Sequence, residues 1–144
     1  MAEQSFATHR RFVPGYHYVL FLLLLATVIG SAVNLFVSIR RDQPLYDPAL
    51  LLVLSICSVM IAFYARVFAL KAQDRAIRAE ENFRHYLLTG SPLDSRLRMR
   101  QIVGLRFASD EDLPELARRA AEDSLSEDDI KKAVKSWRAD TYRA

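Results

Sequence analysis

Residues 55–79 read SICSVMIAFYARVFALKAQDRAIRA. Within them Ser55, Ser58, Ala62, Ala65, Ala69, Ala72, Ala76 and Ala79 recur at alternating steps of three and four, which on an α-helix is a heptad seam made of small residues. Only Cys57 is small among the other residues of the stretch, so a helix here carries a narrow groove down one flank, where another backbone can come close. Helix propensity explains the presence of many alanines but not their confinement to one register. The same stretch crosses a change of solvent. No Asp, Glu, Lys or Arg lies between Pro48 and Ala65, whereas Arg66, Lys71, Asp74, Arg75, Arg78 and Glu80 follow in close order. A membrane span is therefore expected to run without a break into a charged helix beyond the membrane.

Working outward, a second uncharged block runs from Phe12 to Ile39. Two apolar blocks and a polar remainder, in a chain of 144 residues, describe one membrane unit with a small appendage. The expected fold is an all-α membrane protein: a two-helix transmembrane hairpin, its second helix extended into the cytoplasm, and a small C-terminal three-helix lobe. The lone Cys57 excludes a disulfide framework and a thiolate metal cluster.

Residues 1–15 form an N-terminal arm with Arg10 and Arg11, closing on Pro14 and Gly15, which favour a bend over a continuing helix. Tyr16, His17 and Tyr18 are interfacial residues at the head of transmembrane helix 1, residues 16–39, with an apolar core of about 21 residues or roughly 30 Å. A cleaved signal peptide competes, because Gly30, Ser31 and Ala32 could pass for a cleavage site. Apolar residues continue through Ile39, and an uncleaved anchor is preferred. Residues 40–47 make a periplasmic hairpin loop. Asp47 then Pro48 reads as an N-cap with proline at the first helical position, opening transmembrane helix 2 at residues 48–70 and its cytoplasmic extension at 71–90. Gly90 and Pro92 supply the stop. Two spans put both termini on one side. Arg10, Arg11, Arg66, Lys71, Arg75 and Arg78 on that side, against Arg40 and Arg41 in the loop, place it in the cytoplasm.

Residues 94–138 are expected to form the lobe. A first helix spans Asp94 to Phe107, with Leu97, Gln101, Leu105 and Ala108 at helical spacing and Ile102 and Val103 widening the apolar side. Ser109 with Asp112, and Ser126 with Asp129, start two further helices by capping-box-like patterns. The lobe core is expected from Leu105, Leu113, Leu116, Ile130, Val134 and Trp137. Three short helices make a marginal core, so the lobe should dock on the long helix or on another protein. Arg138 onward, with residues 139–144, reads as a loosely held tail.

The runs from Gln73 to Glu80, from Gln101 to Pro114 and from Ile130 to Trp137 resemble a bacterial domain-of-unknown-function family of small two-span membrane proteins. The resemblance covers nearly the whole chain, and the Arg106–Leu113 run is its most specific part. It implies a protein of the bacterial inner membrane and no catalytic residues. Some members carry an ABC transporter permease label, for which two spans are far too few.

Reactive constellations are absent from the sequence, and no enzyme, cofactor or metal is expected. His9, His17 and His85 lack partners at ligand spacing. Haem ligation by His17 finds no second axial histidine in span two. The acidic triplets 110–112 and 127–129 lack the alternating ligands and central glycine of a calcium loop. Four dispersed glycines build no phosphate cradle. A DNA-reading helix-turn-helix around Ser124–Ser126 meets seven Lys or Arg against ten Asp or Glu from Phe107 to Ala144, the wrong sign for nucleic acid. Membrane lipid is the expected partner of Arg66, Lys71, Arg75 and Arg78 at the headgroups, with Arg66 snorkelling. No small-molecule substrate is evident. Ala26, Gly30 and Asn34 offer a small-residue face with a hydrogen-bonding amide that fills the membrane part of the seam. The lower seam needs another occupant: a second copy in a homo-oligomer, the folded-back lobe, or a subunit of a membrane complex. The reading that results is a non-enzymatic accessory or scaffold protein. Its rival is a small transporter or channel subunit, for which Ser55 and Ser58 are the only polar hint in the second span.

Overall fold

A computed structural model describes residues 13–139. Among them the chain is all-helical. A π-helical turn at Gly15–Leu20 leads into α1, Phe21–Arg40; α2 is Tyr46–Thr89, and α3 (Met99–Leu105), α4 (Leu113–Glu122) and α5 (Glu127–Ala133) follow. Two of the helices, Gly15–Arg40 and Tyr46–Thr89, are long and apolar enough to cross a membrane. Arg10 and Arg11 of the arm, and residues 140–144 of the tail, lie outside the described residues. The chain divides into two compact units within α2, after Phe68.

In the first unit, helical geometry begins at Pro14 (φ −56°, ψ −40°). The bend expected there is replaced by a first turn, which proline tolerates because its missing N–H would be unsatisfied anyway. The hairpin turn uses Asp42 at φ +52°, a left-handed conformation that Asp accepts better than most residues. The turn closes where the Gln43 N–H donates to the Ser38 carbonyl at 3.0 Å. The second helix starts at Tyr46, two residues before the expected start, and Asp47 sits in its first turn. Pro48 still lies where the ladder needs no donor.

α2 is α-helical without interruption through Arg66. It ends at Gly90, whose φ of +73° suits glycine, and whose N–H donates to the Tyr86 carbonyl at 2.8 Å. That is the left-handed C-cap the sequence predicts.

The second unit holds the main core. Leu97, Ile102, Leu105, Phe107, Ala108, Leu113, Leu116, Ala117, Ala120, Ala121, Ile130 and Val134 are buried together, and Ile77 of α2 joins them. The lobe therefore docks on the long helix of its own chain. All six expected core residues are in this cluster or, for Trp137, packed against it. Three boundaries differ from expectation. Residues 94–98 are not helical: the Asp94 carboxylate accepts from the Arg96 N–H at 2.9 Å, and α3 starts only after Arg98, whose N–H donates to Gln101 Oε1 at 2.8 Å. Ser109 caps a turn, not the helix; its hydroxyl accepts from the Asp112 N–H at 3.3 Å, and α4 follows from Leu113. At α5 the Ser126 cap holds, but the helix ends at Ala133. Val134 turns extended, and Trp137 pairs antiparallel with Ala108. Arg138 is correspondingly no loose tail, since its N–H donates to the Phe107 carbonyl at 2.8 Å.

Two residues set how closely these pieces approach. A Cβ on Gly104 would stand 3.1 Å from Ile130 Cγ2 and 3.2 Å from the Glu127 carbonyl oxygen, so α3 and α5 touch almost backbone to backbone. Gln101 is buried, and its Nε2 donates to the Ala120 carbonyl at 2.9 Å and the Leu125 carbonyl at 3.0 Å. One amide thus satisfies the end of α4, the turn to α5 and the start of α3.

Candidate functional site

The sequence singles out three sets of residues: the small-residue seam, the basic girdle and the lobe core. Each unit holds part of them.

In the first unit the upper seam is occupied. Ser55 is buried, and Ser58 and Ala62 are half-buried. The face of α1 that covers them is not the expected one. Ala26, Gly30 and Asn34 are exposed, and the covered positions of α1 are Leu24, Val28, Ser31, Leu35, Val37 and Ser38. The contact is made by Ser31, whose Oγ lies 3.0 Å from that of Ser55. Shifting from Gly30 to Ser31 rotates the helix by about 100°, exchanging a bare approach for a hydroxyl pair flanked by branched side chains. Tyr16 secures the far end by donating its hydroxyl hydrogen to the Ala62 carbonyl at 2.9 Å, while Arg66 lies over the same ring at 5.9 Å. The rotation leaves a notch of about 480 Å³ beside the serine pair. Its polar lining is Thr27, Ser31, Asn34, Ser55 and Ser58, a grouping hidden in the sequence because it is drawn from two helices.

Still within the first unit, Ala65 is exposed; in the second, so are Ala69, Ala72, Ala76 and Ala79. The lobe is corrected as their occupant: it takes a different side of α2, through Ile77, Glu81 and Arg84. Glu81 is only 4 % exposed. Its carboxylate accepts from Arg84 Nη1 at 3.0 Å and faces Arg138 Nη1 at 3.5 Å. Arg84 also bonds the Asp110 carboxylate at 2.6 Å and donates to the Ala108 carbonyl at 2.8 Å. This polar clasp joins α2 to the Ala108–Trp137 pairing. Sequence reasoning missed the clasp. The signal was available in Ile77, Glu81 and Arg84, at i, i+4 and i+7, which share one helix face.

Phe107, buried completely, is the other residue missed, because it sits past the end of α3 where periodicity carries no information. Trp137 lies 4.9 Å from its ring, and Arg106 approaches it at 4.6 Å.

Of the expected headgroup residues, Arg66 is half-buried and Lys71, Arg75 and Arg78 are exposed. Among the described residues no group of three or more His, Cys, Asp or Glu is placed to hold a metal ion; His9 lies outside them. His85 has its Nδ1 2.8 Å from the Ser91 carbonyl, at the helix stop. Among the described residues, the perturbed carboxyls are in ion pairs. Bonds from Arg96 hold Asp94 at about 2. Burial pushes Glu127 up, but bonds from Lys131 and Arg100 outweigh it and lower the group overall.

The fold and these surfaces define an all-helical protein with two helices of membrane-crossing length and a packed helical lobe. The chain belongs to a family of unknown function, DUF6526, which it matches over residues 1–144. No curated protein and no solved structure matches it.

Proposed function

We propose that this chain is a non-enzymatic accessory or scaffold protein of the bacterial inner membrane, with both termini cytoplasmic, that binds a protein neighbour through the exposed part of the α2 seam and presents the lobe to the cytoplasm. The observation that carries this reading is the exposure of Ala65, Ala69, Ala72, Ala76 and Ala79 in one register of a continuous helix. A helix flank with no bulk invites a close neighbour, and the lobe leaves it open. Arg66, beside the interfacial Tyr16, is positioned to meet lipid headgroups, and Lys71 and Arg78 extend the basic girdle. Photocrosslinking in native membranes, with the reactive group placed in turn at Ala65, Ala69, Ala72 and Ala76, tests the proposal. A discrete protein adduct is expected at two or more of these sites. Adducts to lipid alone at all four would overturn it.

A second reading, a small transporter or channel subunit, draws support from the notch in which Thr27, Ser31 and Asn34 join Ser55 and Ser58. Ion flux in proteoliposomes that Ser55→Leu abolishes would favour it over the scaffold.

A further inference from the structure

Beyond the alanines, the open face of α2 continues in the same register into large apolar side chains. Four residues after Ala79 comes Phe83, three later Tyr86, and beside it Leu87; they are 62 %, 54 % and 68 % exposed. These residues lie past Arg66, Lys71 and Arg75, in a helix that already carries six charged side chains from Lys71 to Glu81 (Lys71, Asp74, Arg75, Arg78, Glu80 and Glu81), with Arg84 following, so lipid does not explain them. Ile77, Glu81 and Arg84, which meet the lobe, point about 140° away around the helix. A contiguous apolar face left open to water marks a protein contact.

The charges beside this face say what covers it. With Ala76 and Phe83 at a and Ala72, Ala79 and Tyr86 at d, Arg75 falls at g and Glu80 at the following e. In a parallel two-stranded coiled coil each g residue meets the e residue five positions on in the other strand. Arg75 therefore meets Glu80 of an identical helix, twice by symmetry. Both are exposed, and five residues is the wrong interval for them to pair along their own helix. Parallel alignment is the only one available to two copies inserted in a bilayer with the same topology.

We infer that the charged half of α2 pairs with that of a second copy of this chain, in parallel, with Phe83 and Tyr86 packed across the two-fold axis and Arg75 bonded to the partner's Glu80. This deepens the scaffold reading and rests on it, replacing the unspecified neighbour by a copy of the chain and reassigning Arg75 from lipid to protein. All changes needed to test it fall on exposed positions, so the lobe fold is preserved.

The experiment is disulfide formation between full-length chains in native membranes, in a Cys57→Ala background. Single cysteines at Ala76 and at Phe83 are expected to give covalent dimers, and one at Arg78, on another side of the helix, at least about fivefold less. Arg75→Glu in the Ala76→Cys chain should lower dimer yield by about fivefold, the scale of two exposed ion pairs lost, and Glu80→Arg added to it should restore the yield. Equal crosslinking at Ala76 and Arg78, or no recovery in the double charge reversal, overturns the inference. If no dimer forms while photocrosslinking at Ala72 captures a different protein, the pairing is wrong and the scaffold reading stands.

Discussion

The first unit leaves Phe21, Leu22, Leu23, Ile29, Val33 and Phe36 exposed, while the lobe buries Leu105, Phe107, Leu113 and Ile130 completely. Their apolar content is similar in kind, yet it is arranged oppositely. In the lobe, water drives the large side chains into one cluster, and their burial stabilises the fold at roughly 25 cal/mol per Å². If α1 and α2 cross a membrane as proposed, that drive is missing between them, because lipid is as apolar as the side chains. What joins α1 to α2 is accordingly small and polar: the Ser31–Ser55 contact and the Tyr16–Ala62 bond. Apolar bulk is thus the cement of one unit and the outer coat of the other.

If that contrast is right, mutations of equal size should act very unequally in the two units. The largest effect is expected from Phe107→Ala, at about 3–5 kcal/mol, read by denaturant unfolding of the full chain in detergent with Trp137 emission as the probe. Trp137 is the sole tryptophan and lies against the Phe107 ring, so it reports on the lobe. A loss below about 1 kcal/mol would break the comparison.

Next comes Arg84→Met, which takes the main partner from the buried Glu81 carboxylate. Removing one member of a buried pair costs about 3–5 kcal/mol; about 2 kcal/mol is expected here, since Arg138 remains at 3.5 Å. Changing Glu81→Leu as well should recover part of the loss, which distinguishes a stranded charge from lost packing.

Ser55→Ala probes the other unit. It should destabilise helix association by only about 0.6 kcal/mol, measured by steric trapping of the hairpin in micelles, and leave Trp137 emission unchanged.

The smallest effect is a pH dependence in the lobe. Glu127 is lowered from 4.5 in the folded chain, so the unfolded chain binds the proton more readily. Its contribution is complete above about pH 4.5 and is lost as pH falls through the lower folded value. A drop of a few tenths of a kcal/mol is expected for a partly exposed pair, and Glu127→Gln should flatten it when unfolding is followed between pH 6 and 3.

Much of this organisation is readable in the residues. The charge-free blocks at 12–39 and 48–65 announce two helices of membrane-crossing length. The glycine at 90 marks the end of the long one, and heptad spacing from Ser55 locates a smooth flank. The lobe core could be named from Leu105, Leu113, Leu116, Ile130, Val134 and Trp137, because in water an amphipathic period has only one way to face. In the first unit the same kind of reasoning failed for Ala26, Gly30 and Asn34. On the proposed membrane placement nothing penalises the exposure of either face, so small size alone could not decide between Gly30 and its neighbour Ser31.

Composition and periodicity therefore determined which segments are helical, where the long one stops and which lobe residues go inside, since these follow from local propensity and from the transfer of side chains out of water. Three-dimensional packing decided the rest. It set the rotation of α1 about Ser31 and brought Glu81 and Arg84 to Asp110 and Arg138. It also turned Trp137 back onto Phe107 by an extended pairing, and left the flank from Ala69 to Leu87 uncovered. Each of these depends on directional contacts between groups distant in sequence, whose partners no local pattern specifies.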